Sequence, residues 1–282
     1  MKLIALFYKV FLGLILTTQL SLTYAQDVPK WEAGIGISTL HLPDYRGSNE
    51  ARSYVLPLPY FVYRGDKIKV DRQGIRSELF NTDFIQLDIS AGASVPVNSD
   101  KNLARAAMPN LDGTAELGPS LEISLARSRD RRTKLDLRIP VRMAFTLGPE
   151  KFGQNIGIVA TPHLNLDIKD VAGMSGWNLG VLAGLSYASA RNHGYFYNVA
   201  PQYASASRPA YHVGGGYGGN QLIVALSKRF NQYWVGAFLR ADSLKGAVFE
   251  NSPLIKTKSY VTAGIGFSWI LKQSEQHVQI ED

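Results

Sequence analysis

Strict alternation of apolar and other residues over long segments constrains the fold of this chain more than any other feature. In the segment 134–147, every second residue is apolar: Leu135, Leu137, Ile139, Val141, Met143, Phe145 and Leu147. The positions between them include Lys134, Asp136, Arg138, Pro140, Arg142 and Ala144. Successive side chains of a β-strand point to opposite faces, whereas a helix would spread these charges around its circumference. The alternation therefore predicts a strand with one apolar and one charged face.

Three further segments repeat the pattern, and their length favours a membrane barrel. They span 84–95, 115–125 and 155–168, and one face of each is wholly apolar. Strands of about ten or more residues cross the roughly 25 Å apolar band of an outer membrane when they are tilted. Charges in the middle of the opposite faces suit an interior filled with water or with paired side chains. A soluble sandwich or lipocalin-like barrel also alternates and is the alternative.

The connections between the predicted strands alternate between short and long. The strands lie near 30–40, 52–63, 66–71, 74–80, 83–95, 114–127, 132–147, 153–169, 176–190, 219–229, 232–243 and 258–270. The long connections are 96–113, 191–218 and 244–257. Since bacterial barrels have short periplasmic turns and long extracellular loops, both chain ends are expected in the periplasm.

These features predict an all-β fold, a transmembrane antiparallel up-and-down β-barrel of twelve strands in the outer membrane. The barrel would span 26–271 and be followed by a polar, mobile periplasmic tail, 272–282. Ten strands is the alternative, if 66–80 does not split into a hairpin at Asp71-Arg72-Gln73-Gly74. Aromatic residues near strand ends predict girdles at the membrane surfaces: Trp31, Tyr60, Tyr63, Trp177, Tyr187, Phe230, Tyr233, Phe267 and Trp269.

Residues 1–25 are typical of a cleaved secretory signal peptide. Lys2 and Lys9 precede or flank a short apolar core, 10–16, and Ala25 ends a stretch of small residues suited to cleavage. A retained transmembrane helix is the alternative, but it would need roughly 20 apolar residues. The net charge is +7 and the chain has no cysteine. We therefore expect no disulfides and no nucleic-acid partner, but contacts with outer-membrane lipid and lipopolysaccharide.

Several motifs resemble the MipA/OmpV family of outer-membrane proteins. They occur in family order at 31–36, 42–48, 56–60, 63–65, 195–201, 208–211, 214–216, 234, 244–246 and 251–254. The last strand, 262–269, is similar to the signal read by the barrel assembly machinery, which is therefore an expected partner. Family members usually end near Trp269, whereas this chain continues to Asp282.

The resemblance implies two possible roles. One is a scaffold that bridges a lytic transglycosylase and a bifunctional murein synthase during peptidoglycan remodelling. The other is a surface protein linked to adhesion or to antibiotic response. The periodicity and the composition of the sequence give no evidence for either role.

Catalytic chemistry has little support in this sequence. There is no Gly-x-Ser-x-Gly motif, and His163 is predicted on the inner face, away from a lipid substrate. No two histidines have the spacing of metal ligands on one strand face. We therefore predict a non-enzymatic protein without catalytic residues, bound metal or cofactor.

Charged and polar residues predicted to line the barrel interior are the main candidate functional residues. They are Asp88, Glu116, Glu122, Lys134, Asp136, Arg138, Arg142, His163, Asp167, Arg240 and Asp242. Cross-strand pairs are expected, such as Glu122 with Arg138 or with Arg142. The residues would form either a salt-bridged plug or a narrow charge-lined pore, so a small porin is an alternative to the scaffold.

Two connections are candidate binding surfaces. The long connection 191–218 is rich in aromatic residues and carries Arg191, His193, Arg208 and His212 without an acid. It would fold into the barrel mouth, contact lipopolysaccharide, or bind a surface ligand as an adhesin together with 96–113. The turn 127–132 carries four arginines and would face wall enzymes or anionic lipid, or simply be solvated.

Overall fold

The computed structural model describes residues 26–65, 68–71, 74–77, 82, 84–149 and 151–280, so the predicted signal peptide lies outside the described residues. The strands are β1 Gln26–Pro29, β2 Trp31–Pro43, β3 Ala51–Arg64, β4 Ile68–Asp71, β5 Gly74–Ser77, β6 Ile85–Ser94, β7 Thr114–Arg127, β8 Thr133–Thr146, β9 Asn155–Ala160, β10 His163–Ile168, β11 Trp177–Ala188, β12 Gly216–Arg229, β13 Tyr233–Ser243, β14 Ser259–Gln273 and β15 His277–Ile280. One α-helix, α1, spans Ala190–Tyr197. No helix in the described part of the chain is long and apolar enough to cross a membrane.

Strands β2 to β14 form one closed antiparallel sheet. Each strand pairs with the next except β9, which does not pair with β10, and β14 returns to pair with β2, with Gly264 opposite Leu40. Strands β9 and β10 both pair with β8 and with β11, so they occupy one position in the ring. The thirteen strands of the sheet therefore make a barrel of twelve positions, which confirms the predicted barrel and favours twelve over ten.

The predicted strand 153–169 is interrupted where β9 ends and β10 begins. Pro162 lies at the break and has no N–H group to donate to a neighbouring strand, although its carbonyl accepts a hydrogen bond from the Leu185 N–H at 2.9 Å. A bulge also precedes it, because Ala144 pairs with Gly157 and Phe145 pairs with Asn155. A single regular strand was therefore the wrong prediction for this segment.

The outer surface of the barrel is apolar. On β14, Val261 and Ile265 are 62% and 63% exposed, whereas Thr262 and Ser268 on the opposite face are 4% and 0% exposed. Exposed apolar residues also occur on the outward faces of β2, β3, β8 and β12, among them Ile37, Val55, Met143 and Leu222. An apolar surface that continues from strand to strand requires a lipid environment rather than water.

One side of the barrel interior is lined by aromatic rings that lie over glycines. A Cβ atom on Gly264 would stand 2.5 Å from Phe238 Cε1 and 2.6 Å from Leu40 Cδ2. A Cβ atom on Gly236 would stand 2.4 Å from the ring of Trp234. Glycine is therefore required on β13 and β14 because the rings pack directly on the backbone.

The hairpin of β4 and β5 is much shorter than the strands beside it. Asp71 pairs with Gly74, which confirms the predicted split of 66–80. In the described residues, β3 pairs with β4 only at Tyr63 and Arg64, and β5 pairs with β6 only at Ile75. The hairpin therefore completes only part of the barrel wall.

The two ends of the described chain meet in a small separate sheet. Strand β1 pairs with β15 along its length, with Val28 opposite Val278. The Ser274 N–H donates to the Trp31 carbonyl at 2.9 Å, which joins this sheet to the barrel. The tail is thus not the free segment that was predicted, because β14 extends to Gln273 and 277–280 is paired.

The barrel has two different ends. The turn end carries β1, β15 and the short connections 128–132, 169–176 and 230–232. The loop end carries the long connections 44–50, 95–113, 189–215 and 244–258.

Candidate functional site

Five of the predicted interior residues form one group of ion pairs, the β8 charge cluster: Glu122, Lys134, Asp136, Arg138 and Asp167. Lys134 Nζ lies 2.6 Å from Glu122 Oε1 and 3.0 Å from Asp136 Oδ2. Arg138 lies 3.1 Å from Glu122, 3.3 Å from Asp136 and 3.9 Å from Asp167. Asp136 is fully buried and Glu122 is 4% exposed. Strand register produces the cluster, because Arg138 lies opposite Glu122 on β7 and opposite His163 on β10.

Arg142 joins a second group nearer the loop end. Its Nε lies 2.9 Å from Glu116 Oε2, and its Nη atoms donate to Ser90 Oγ at 3.0 Å and Thr161 Oγ1 at 3.1 Å. The sequence left Glu122 with two possible partners. The structure pairs it with Arg138, and Arg142 takes Glu116 instead.

Asp88 and His163 complete the polar side of the interior. Asp88 is 6% exposed and accepts a hydrogen bond from Gln86 Nε2 at 2.8 Å. His163 is half-buried, and its Nδ1 lies 2.7 Å from the Thr161 carbonyl oxygen. Both side chains thus hydrogen-bond to protein groups.

Arg240 and Asp242 lie apart from the β8 charge cluster, near the loop end. Arg240 binds the carboxylate of Asp242 with two hydrogen bonds of 2.6 and 2.8 Å. Arg46 reaches the same carboxylate at 3.3 Å and donates to Tyr260 Oη at 3.1 Å. Arg46 was not predicted as an interior residue. It lies in the connection 44–50, where strand alternation does not show which way a side chain points.

A buried acid at the turn end was also missed. Glu32 is 1% exposed and accepts from Tyr60 Oη at 2.9 Å, Arg64 at 3.4 Å and Arg229 at 3.1 Å. Its position, two residues before Gly34 on the same strand face, could have identified it as inward. The prediction that Tyr60 belongs to an aromatic girdle is wrong, because its side chain is buried and bonded to Glu32.

The long connections pack together into a compact apolar cap at the loop end. Its centre is Phe249, which is fully buried and stacks on Tyr197 with ring centroids 3.8 Å apart. The other buried members are Tyr45, Val97, Ala104, Met108, Leu111, Val199, Val213, Leu244, Ala247 and Leu254. Because all four long connections contribute, their residues form a single core.

Polar groups inside the cap are satisfied by the loops themselves. Arg105 is 3% exposed and donates to Ser99 Oγ at 3.2 Å, the Phe196 carbonyl at 3.1 Å and the Pro109 carbonyl at 3.0 Å. Burial lowers the pKa of the Arg105 guanidinium from its usual value. The hydrogen bonds compensate for the burial and fix the connection 95–113 against α1.

His193 is a second buried polar group of the cap. Its ring lies 4.8 Å from that of Phe249, and its Nε2 lies 3.1 Å from the Gly216 carbonyl oxygen. Burial lowers the pKa of His193 below the ordinary value of 6.5. Because its partner is a carbonyl oxygen, Nε2 donates this hydrogen bond.

Residues 191–218 fold into the barrel mouth, one of the three expectations for this connection. Tyr195, Phe196 and Tyr197 contact the cap core. Arg208 donates to the carbonyls of Tyr203, Ala104 and Ala106 at 2.8 to 3.1 Å. Most of the aromatic and cationic groups that suggested a surface binding site thus stabilise the cap.

A cavity with a volume of about 510 Å³ lies at the turn end of the barrel. Its walls combine the β8 charge cluster with the start of β6: Thr82, Phe84, Ile85, Gln86, Glu122, Ser124, Arg127 and Lys134. Within the described residues, no group of three or more His, Asp or Glu side chains could hold a metal ion.

Comparison with known proteins identifies the family. Residues 35–271 match the family model described as MltA-interacting protein MipA. The chain belongs to this family. The MipA-family chain is 26% identical over 240 residues to the outer membrane protein Omp26La of Vibrio anguillarum, covering 83% of this chain and 84% of that protein. It is 25% identical over 210 residues to the outer membrane protein OmpV of Vibrio cholerae serotype O1, covering 72% and 74%.

Solved structures give weaker similarities to this MipA-family protein. An outer membrane channel from Pseudomonas putida F1 has a TM-score of 0.44 at 12% identity, covering 90% of this chain and all of that chain. A bacterial polysaccharide outer membrane secretin has a TM-score of 0.41 at 9% identity, covering 87% and 100%. Because both TM-scores are low, the assignment of the fold is based on the observed strand pairing. The protein is an outer-membrane barrel, with its loop end outside the cell and its turn end in the periplasm.

Proposed function

We propose that this protein is a non-conducting, non-enzymatic scaffold that holds peptidoglycan-remodelling enzymes at the periplasmic face of the outer membrane. The cap is the observation that carries the proposal. A packed core of four loops, with Phe249, Leu244 and Leu254 fully buried, closes the outer mouth. A barrel closed in this way acts through its surface rather than through axial transport.

The barrel interior supports the same conclusion. The three acids of the β8 charge cluster lie within 4 Å of Lys134 or Arg138, so all but one of the charges are neutralised and little field remains to select ions. Buried, paired side chains of this kind also resist displacement, because separating them leaves an uncompensated charge.

The arginine-rich turn 127–132 offers a docking surface on the periplasmic side. Asp130 is held within the turn, because its Oδ1 accepts from Ser128 Oγ at 2.6 Å and from the Arg132 N–H at 3.2 Å. These hydrogen bonds lower the pKa of Asp130. Arg127, Arg129 and Arg132 are exposed around it, and the Lys169 N–H ties the next turn to the Arg132 carbonyl at 2.8 Å. The result is a fixed cationic surface that suits an acidic face of a partner enzyme.

Reversing two charges of this turn should weaken the binding of a lytic transglycosylase or murein synthase. Arg129→Glu with Arg132→Glu is expected to lower affinity roughly tenfold, ~1.4 kcal/mol, and to reduce its salt dependence, because exposed interface charges act mainly on association. Surface plasmon resonance with the refolded barrel immobilised in nanodiscs measures both quantities. Lys245→Glu with Lys256→Glu makes the same charge change at the loop end and should leave binding intact. No binding by the unaltered barrel would contradict the scaffold.

A small channel is the second candidate, and the periplasmic cavity favours it. The cavity volume of about 510 Å³ and its lining by Glu122 and Lys134 would admit a small polar solute. For such a channel, the cap would have to open.

Planar-bilayer recording separates the two functions. The scaffold predicts no discrete current steps from a folded barrel, which is verified by its heat-modifiable migration on a gel. Steps that change with Arg138→Ala would instead establish a channel through the β8 charge cluster. Ala144 provides a matched site, since Ala144→Ser alters the same strand face without removing a charge.

A further inference from the structure

Among the described residues, the barrel wall has an opening between β3 and β6. The β4–β5 hairpin lies between these strands, but its tip, where Asp71 pairs with Gly74, reaches only the level of Val62 on β3, one residue beyond the Tyr63–Val70 pair. Beyond that level, 51–61 of β3 and 91–94 of β6 have no strand partner on the facing side among the described residues.

Two prolines adapt the edge of β3 to the opening. Pro57 and Pro59 pair with Ile37 and Ile35 of β2 without interrupting the register. An unbroken antiparallel register through two prolines requires their nitrogen atoms to face away from β2, toward the opening. An unpaired N–H group is strongly unfavourable in a lipid environment, because no water is present to accept its hydrogen bond. Proline removes two such groups and also prevents another strand from adding to this edge.

The connection 95–113 closes the outer side of the opening. Asn102 Nδ2 donates to Asp44 Oδ2 at 2.9 Å, and the Leu103 N–H donates to Glu50 Oε1 at 2.7 Å. Arg52, near the start of β3, also donates to the Lys101 carbonyl. The opening is therefore a window in the wall, bounded by β3, β6, the end of the β4–β5 hairpin and the connection 95–113.

An apolar strip of the inner wall begins at the window. The inward residues Leu56 and Leu58 of β3 lie at its edge. Leu58 is in register with Gly36, Ser268 and Trp234 across β2, β14 and β13. A Cβ atom on Gly266 would stand 2.9 Å from Leu58 Cδ2 and 3.5 Å from Trp234 Cζ3, so both side chains pack over this glycine and form one apolar surface. On the other side of the window, Ser90 accepts from Arg142 at 3.0 Å.

We propose that the window admits the acyl chain of a membrane amphiphile, which lies along Leu56 and Leu58 and reaches Trp234. Lipid hydrocarbon surrounds the outer wall at this depth, so acyl chains are the molecules that reach the window. The apolar strip matches their chemistry, and the polar residues of β6 offer hydrogen bonds to a head group. A phospholipid and a free fatty acid share this chemistry.

Contact quenching by brominated acyl chains tests the proposal. Trp31→Phe, Trp177→Phe and Trp269→Phe together leave Trp234 as the single tryptophan, and a matched variant keeps Trp269, which is 52% exposed on the outer surface. In vesicles of brominated phosphatidylcholine, we expect Trp234 emission to fall by a factor comparable to that of Trp269. Brominated fatty acid added to unbrominated vesicles distinguishes the second source. Quenching of Trp269 alone in both experiments would overturn the proposal.

Two phenylalanine substitutions on β6 test the route. Ser90→Phe adds a ring on the inner face at the window and should abolish the quenching of Trp234. Ala91→Phe adds the same ring on the exposed outer face and should leave it unchanged. Equal quenching in both folded variants would show that acyl chains do not enter through the window. Heat-modifiable migration confirms that each variant is folded.

Discussion

Replacing Phe249 by alanine should unfold the cap while leaving the barrel closed. Phe249 is fully buried, stacks on Tyr197 and contacts His193, so the substitution removes the centre of the apolar core. Truncation of a buried phenylalanine costs about 3–5 kcal/mol, which is large for a core of this size. Hydrogen exchange of α1 and of 95–113, measured in nanodiscs, should show a corresponding loss of protection, whereas β12 to β14 should stay protected.

The matched control for this prediction is Leu103→Ala. Leu103 belongs to the same loops but is 88% exposed, so its truncation removes little packing. Equal loss of protection in both variants would mean that the loops are not held by a common core. If Phe249→Ala also produced current steps in a planar bilayer, the cap would be identified as the barrier to axial transport.

Replacing Asp136 by alanine should destabilise the barrel itself. Asp136 is fully buried and neutralises Lys134 and Arg138, which are 25% and 12% exposed at their side chains. Its removal breaks two ion pairs and leaves Glu122, at 2.6 and 3.1 Å, as the nearest acid to Lys134 and Arg138. We therefore expect a cost of about 3 kcal/mol, the lower end for breaking a buried ion pair. Urea unfolding in lipid vesicles, followed by intrinsic fluorescence, measures the change in the free energy of unfolding.

The double variant Asp136→Ala with Lys134→Ala tests the electrostatic origin of that loss. It removes one charge of each sign, so it should cost less than the sum of the two single variants. Additive losses would contradict a coupled network and would indicate that Asp136 acts through packing alone. Asp100→Ala, at an exposed acid in the cap, is the control for the loss of a carboxylate.

The sequence determines the barrel because alternation and loop length are local signals. The strands predicted at 114–127 and 132–147 agree closely with β7 and β8, and the hairpin at Asp71-Gly74 is present. Local irregularities were missed for a physical reason. The bulge beside Gly157, whose φ is +114°, places Ile156 outside the alternation, so Ile156 is 4% exposed instead of facing lipid.

The residues that line the interior could be predicted where the alternation along a strand shows which side chains point inward. Each member of the β8 charge cluster comes from a strand whose apolar face was evident, and register then fixes the partners. Arg46 and Phe249 were not identified, because both lie in long connections and their contacts join distant parts of the chain. The cap depends on tertiary packing between loops, which the hydrophobic periodicity of the sequence does not predict.

The cap also has a consequence for the order of folding. Its members extend from Tyr45 to Leu254, and Tyr45 Oη donates to the Leu254 carbonyl at 2.7 Å across nearly the whole barrel sequence. Contacts between residues so far apart form slowly, because a long chain segment must first be closed. The ring in turn closes only when β14 finds β2. Because Tyr45 follows β2 and Leu254 precedes β14, this contact crosses the seam where the ring closes, and a consolidated cap marks a closed barrel.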